Sequence, residues 1–254
     1  MRESLTHLGL DVLSHFIFAI LLLVIGWVLY FFTERKKQLN FFGIKTTKRI
    51  VIYLSNLRIV RGGSIGIDNK PRAYSGATVV YNEQLVASKF KDRFNFLLPS
   101  LSENASVLNN ILFADINVTI LPSPLTLVEI DANTSLISFG SPGYNLASKN
   151  IEDDDKSIVA FSNDMRTMKI DHLGDFSDRE SGFIQRLVDS KSGRCSFYTA
   201  GLSELGTIGA ANYLCNNWKL LHRKYGSNKQ FIVMLKFNNG NWDNWTIVLE
   251  REIP

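Results

Sequence analysis

Cysteine and histidine are scarce in this chain: two of the former and four of the latter among 254 residues. Cys195 and Cys215 cannot build a disulfide framework, and no set of Cys and His has the spacing of a zinc site. No metal and no cofactor is expected. One cysteine falls in an expected strand and the other in an expected helix, where they read as buried free thiols of a reducing compartment. An excess of one charge is also missing. The net charge is only +4, and much of it lies in one short cluster, so no nucleic-acid surface is expected. There is no internal repeat and no low-complexity segment. Hydrophobic residues make up 45% and charged residues 20% of the chain, a balance that excludes disorder. The length leaves room for one full domain and an appendage.

One long hydrophobic run is present. Phe16 to Phe32 is seventeen uncharged, almost wholly apolar residues. Val12 and Leu13 extend it backwards across Ser14 and His15, to the length that crosses ~30 Å of hydrocarbon as a helix. Trp27 and Tyr30 lie toward one end, where an interfacial aromatic belt belongs. A signal peptide would carry positive charge before the run and a small-residue cleavage site after it. Here only Arg2 precedes the run, while Arg35, Lys36, Lys37, Lys45, Lys48 and Arg49 follow it. The positive-inside rule then places residues 34–254 in the cytoplasm of a single-pass cell-membrane protein. The basic cluster reads as a solvated linker whose residues can also hold anionic lipid headgroups. The expected organisation is a transmembrane anchor at 1–33, a basic linker at 34–48 and an α/β domain at 49–254.

Within that domain Ile50–Leu54 is a continuous apolar run, the pattern of a strand covered on both faces. A long polar loop follows from Arg58 to Gly76, with room for a small hairpin around Ser64–Pro71. Thr78–Leu98 has helical periodicity, ended by Pro99, and a second helical segment is expected at Ser102–Phe113. Ile116–Leu121, Leu136–Phe139 and Ser157–Phe161 read as strands, with a short helix at Asn145–Asn150. Met165–Ile170 and Gly182–Val188 read as outlying strands of an antiparallel insert. Cys195–Thr199 is a short buried strand, followed by a helix through Ala210, Tyr213, Leu214, Trp218 and Leu221. Phe231–Phe237 is a further strand, and Trp245–Glu250 returns as an antiparallel edge strand. Strands alternating with helices indicate an α/β fold with a mainly parallel sheet.

The stretch between Cys195 and Lys224 carries the candidate site. Strand, Gly-rich turn and helix form the arrangement that aims backbone N–H groups at a ligand. Gly201, Gly206 and Gly209 are not spaced as G-x-G-x-x-G, and the same glycines would also serve to pack helix on sheet. In open α/β sheets ligands lie beyond the carboxyl ends of the strands. Three segments are expected to meet there. The loop after the first strand supplies Ser55, Asn56, Gly62, Gly63, Ser64, Ser75 and Gly76. A second segment supplies Gly140, Ser141, Gly143, Tyr144 and Asn145. The third supplies Gly201, Ser203, Gly206 and Thr207. All are rich in residues that bring backbone and hydroxyl donors close to phosphate or ribose, so a nucleotide-like small molecule is the expected ligand. Two carboxylates, Glu83 on the first helix and Glu204 in the first turn of the later one, are the candidate catalytic groups. Either would accept hydrogen bonds from ribose hydroxyls or act on a glycosidic bond, and Glu204 would also simply complement its helix dipole. No Ser/His/Asp set is visible.

The run from Gly201 to Thr207, with Gly206–Thr207 opening a helix, resembles the nucleotide-binding core of the lysine-decarboxylase-like part of the SLOG superfamily. Gly140-Ser-Pro-Gly-Tyr-Asn145 resembles a second loop of that pocket. The resemblance implies a Rossmann-like fold over residues 50–237, in a family whose members sense nucleotide signals or cleave N-glycosidic bonds of nucleotides. Catalytic members carry P-G-G-x-G-T-x-x-E. Here Pro-Gly-Gly is Ala200-Gly201-Leu202, and Glu204 precedes Gly-Thr instead of following it. Membrane-anchored versions resemble effectors of antiviral defence signalling. Three functions follow as expectations: a membrane-tethered receptor for a nucleotide-like ligand that works as a homo-oligomer, a membrane-anchored nucleotide N-glycosidase, or a scaffold recruiting cytoplasmic partners to the membrane.

Overall fold

Every residue from Ile50 to Leu54 is apolar, and such a run needs cover on both faces of its strand. The computed structural model, in which this cover is present, describes residues 2–44, 49–56, 58–60, 63–65, 71–72, 76–94, 116–124, 126, 134–189 and 191–254. It contains two compact units, Met1–Asn40 and Phe41–Pro254.

The first unit belongs to a single helix, α1 (Arg2–Phe41). Its stretch His15–Phe41 is long and apolar enough to cross a membrane, and side chains such as Phe16, Leu23 and Leu29 are exposed. A Lys37–Glu34 ion pair at 2.8 Å, one turn apart, supports helix at the basic end. The segment expected as a linker is therefore helical as far as Phe41. Phe41, Phe42 and Ile44, read in the sequence as part of that linker, belong to the core of the second unit.

In chain order the second unit holds β1 (Arg49–Leu54), β2 (Arg58–Val60), β3 (Gly63–Ile65), β4 (Pro71–Arg72), α2 (Gly76–Phe94), β5 (Asn117–Pro122), β6 (Ser135–Phe139) and α3 (Leu146–Glu152). Then come β7 (Val159–Phe161), β8 (Met168–Ile170), β9 (Gly174–Phe176), β10 (Ser181–Val188), β11 (Cys195–Gly201), α4 (Glu204–Tyr225), β12 (Gln230–Phe237) and β13 (Trp245–Ile253). The main sheet has seven strands in the order β13-β12-β10-β11-β6-β1-β5. β5, β1, β6, β11 and β12 run one way, β10 and β13 the other. The mainly parallel α/β sheet and its antiparallel edge, β13, are as expected. The Gly182–Val188 segment is not an outlying strand. It is β10, inserted antiparallel into the middle of the sheet between β11 and β12. Nor does the expected strand at Ser157–Phe161 join the main sheet: β7 pairs with β8, and β8 with β9, in a separate antiparallel sheet. The loop after β1 holds β2, β3 and β4, with the β3–β4 pair spanning the expected hairpin. The helix expected at Ser102–Phe113 lies outside the described residues.

The two faces of the sheet are covered differently. On one, α3 and the small β7–β9 sheet bury Val51, Tyr53, Phe183, Tyr198 and Met234 around Ala147, Ile151, Val159 and Met168. On the other, α2 and α4 pack side by side, with Phe41 and Phe42 set among Phe90, Phe94, Phe197, Trp218 and Phe231. Arg186 of β10 is wholly buried here, its guanidinium 4.8 Å from the Phe41 ring. It donates to the carbonyls of Gly226 (3.0 Å), Ser227 and Lys229 (3.3 Å), just beyond α4. From β1 the chain crosses by α2 to β5 on one side and then returns to β6 on the other. The carboxyl ends of β1 and β6 are thus the point where the direction of winding reverses.

Candidate functional site

α4 starts where it does because Ser203 caps it. The Ser203 hydroxyl accepts from the Gly206 N–H at 3.3 Å, and Glu204 occupies the first turn. At the other end His222, Arg223 and Lys224 complement the dipole, and Gly226 stops the helix at φ +63°. This placement brings the start of α4 beside the ends of β1, β6 and β11, where a cleft opens.

Of the residues singled out in the sequence, the cleft brings together Ser55 after β1, Gly140, Ser141 and Tyr144 after β6, Gly201 and Thr207, Ser203, and both carboxylates, Glu83 and Glu204. Gly140 has φ +90°, and a side chain there would meet the Ser55 hydroxyl 2.4 Å away. Its glycine lets the β6 loop close onto the end of β1.

Other expected residues have structural work. Asn145 is wholly buried: its amide donates to the carbonyls of Tyr53 (3.0 Å) and Phe139 (2.8 Å), and its Oδ1 accepts from Ala147 N–H at 2.9 Å to cap α3. Asn56 does not line the cleft. Its N–H donates to the Tyr144 carbonyl (2.8 Å) and its Nδ2 to the Ser123 carbonyl (3.3 Å). Gly143 lies in the same turn but not on the cleft wall. Gly206 does not face the cleft either. A Cβ there would lie 2.2 Å from the Ser181 carbonyl oxygen and 3.1 Å from Gly201 Cα. A Cβ on Gly182 would lie 2.0 Å from the Gly206 carbonyl. These glycines let α4 press onto β10 and β11, and Gly209 does the same against Phe237. Gly62 and Ser75 fall outside the described residues. Gly63 and Ser64 are in β3, and Gly76 opens α2.

Four further residues line the cleft that sequence reasoning did not assign to it: Phe161, Met165, Leu202 and Ile208. Leu202 and Ile208 sit inside the Gly-rich stretch and could have been found as the apolar positions between its polar ones. Phe161 and Met165 arrive from the small sheet, which the sequence gives no reason to place there. Met165 adopts φ +58°, a left-handed conformation uncommon for a long side chain.

The carboxyl groups differ in their surroundings. Glu83 is 1% exposed and accepts two hydrogen bonds from Ser55, from its N–H and from its hydroxyl, both at 2.7 Å. Burial pushes its pKa up to about 8; the Ser55 hydrogen bonds oppose this and the charge of Glu204 adds to it. Near neutral pH Glu83 is thus largely an uncharged acid. Glu204 is partly exposed and accepts from Asn82 Nδ2 of α2, one residue before Glu83. Among the described residues no lysine or arginine lines the cleft, and no group of three His, Cys, Asp or Glu side chains could hold a metal ion. The cleft can therefore offer two carboxyl groups, several hydroxyls and an apolar wall. The chain matches no model of a known protein family and none of the curated proteins with which it was compared.

Proposed function

We propose that this chain is a membrane-tethered receptor that binds a nucleotide-like ligand in the cleft at the ends of β1, β6 and β11. The observation that carries this reading is the position of the cleft. It lies at the reversal of winding between β1 and β6, the place where open α/β sheets bind their ligands. The order of the parallel strands, β5-β1-β6-β11-β12 with β10 and β13 added antiparallel, supports a Rossmann-like reading of the fold. The apolar helix and the basic residues after it support a single-pass anchor with the α/β unit on the cytoplasmic side. One helix forms no pore alone, so an output at the membrane requires several copies. The test is thermal unfolding of the full chain in detergent with a panel of nucleosides and nucleotides. A binding ligand at a hundred times its dissociation constant adds about 2.7 kcal/mol, and Ser141→Trp, which fills the cleft, removes the shift. A folded protein that no member of the panel stabilises would refute the reading.

One observation favours a second reading, an N-glycosidic hydrolase of nucleotides. Two carboxyl groups in contrasting environments flank the same cleft, Glu83 held neutral and Glu204 nearer solvent. In this reading a carboxylate orients the ribose and stabilises its developing oxocarbenium charge. Chromatography of the same incubations would detect released base. Release that persists undiminished in both Glu83→Gln and Glu204→Gln removes this reading.

A further inference from the structure

The cleft differs from a phosphate cradle in three independent respects. First, several of the amides around the cleft are already occupied. The N–H of Ser55 is bound to Glu83, that of Gly140 to the Thr199 carbonyl at 3.0 Å, and that of Gly201 to the Thr207 hydroxyl at 3.2 Å. At the start of α4 the Gly206 N–H goes to the Ser203 hydroxyl and the Thr207 N–H to the Ser203 carbonyl at 3.1 Å. Second, the charge is wrong for an anion. Glu204 sits in the first turn of α4 and offsets the dipole that would attract phosphate. The described lining supplies a second acid and no base. Third, the remaining surface suits a neutral ring-bearing group. Tyr144 and Phe161 offer aromatic rings, and Met165, Leu202 and Ile208 continue the apolar wall. Beside them Ser141, 5% exposed, places a hydroxyl-bearing side chain on the cleft wall.

A hydroxyl on the wall can both donate to and accept from the hydroxyls of a ligand. A carboxylate beside it accepts hydrogen bonds from vicinal hydroxyls without needing a positive partner. We infer that the cleft holds the nucleoside part of the ligand, with base against the Tyr144–Phe161 wall and ribose hydroxyls at Glu204 and Ser141, and that any phosphate stays outside it. This rests on the nucleotide-like reading above and narrows it. It also reverses the role that the Gly-rich start of α4 holds in a phosphate-binding loop: here the glycines clear a path for neighbouring backbone, not for a ligand.

The experiment compares adenosine, guanosine, cytidine and uridine with their 5′-monophosphates, by calorimetric titration of the full chain in detergent. The expected result is that the best nucleoside binds less than about tenfold more weakly than its monophosphate, a gap under about 1.4 kcal/mol. Inorganic phosphate should not displace it. In Glu204→Gln both ligands should weaken together, by about tenfold, as the ribose hydroxyls lose a charged acceptor. A monophosphate more than about tenfold tighter than its nucleoside, or one that gains affinity in Glu204→Gln, overturns the inference while leaving the receptor reading in place. If neither nucleosides nor monophosphates bind the folded parent, both fall together.

Discussion

At Glu83 burial and hydrogen bonding act against each other. The first raises its pKa, the second lowers it, and burial wins. The consequence for stability has a definite sign. The folded value is raised from 4.5 to about 8, so the folded state binds the proton more tightly than the unfolded one. The associated stability is fully present below about pH 4.5 and is lost progressively as pH rises to about 8, by roughly 5 kcal/mol in total. Glu83→Gln keeps the shape without the titration. It should therefore unfold at a higher temperature than the parent at pH 9, and the advantage should vanish at pH 5. Parallel melting curves for the two proteins across that range would show that Glu83 does not titrate as a buried acid. This part of the site was half legible in the sequence. The helix and the candidate role of Glu83 followed from periodicity and its distance from Gly76. Its depth did not, because that is set by Ser55, which lies on another element.

Among the elements, α4 and β10 show where local sequence misleads. The strand–turn–helix pattern around Gly201 is the same whether its glycines admit a ligand or a neighbouring chain. The deciding partner, Gly182, is on β10 and distant in sequence. β10 itself read as an outlying strand, and Gln185 and Arg186 interrupt its apolar residues. Both are buried, and the Arg186 guanidinium donates to carbonyls from beyond α4. By contrast β1, β6, β11 and β12 are buried along almost their whole length. Their apolar runs identified them directly. The packing account of Gly206 makes a prediction. In Gly206→Val the added side chain meets backbone on β10, which cannot swing aside. The loss should fall at the upper end of the ~1–3 kcal/mol typical of overpacking, a drop of roughly 6–12 °C in melting temperature for a domain of this size. A variant as stable as the parent would show that α4 does not rest on Gly182 and Ser181 as described.

For the whole molecule, the boundary between the apolar helix and the domain matters most. Composition placed it at residue 49, since the segment before it is basic and short of strand or helix signals. The α/β unit starts at Phe41, because Phe41, Phe42 and Ile44 fill its core. A soluble chain beginning at Glu34 keeps these three side chains, and one beginning at Arg49 loses them. Burying each contributes about 1.5–3 kcal/mol, so the shorter chain should unfold at a clearly lower urea concentration. Equal midpoints for the two would mean that the segment adds nothing to the core. The same three residues bear on the order of events during synthesis. Phe41 leaves the ribosome early, directly behind the apolar helix, yet its ring partners Phe197, Trp218, His222 and Phe231 come from the last part of the chain. The first buried residues of the domain therefore wait for nearly the last ones. A growing chain arrested before β12 exposes an aromatic pair directly after its apolar helix, and chaperone protection should be needed there until β12 has been made.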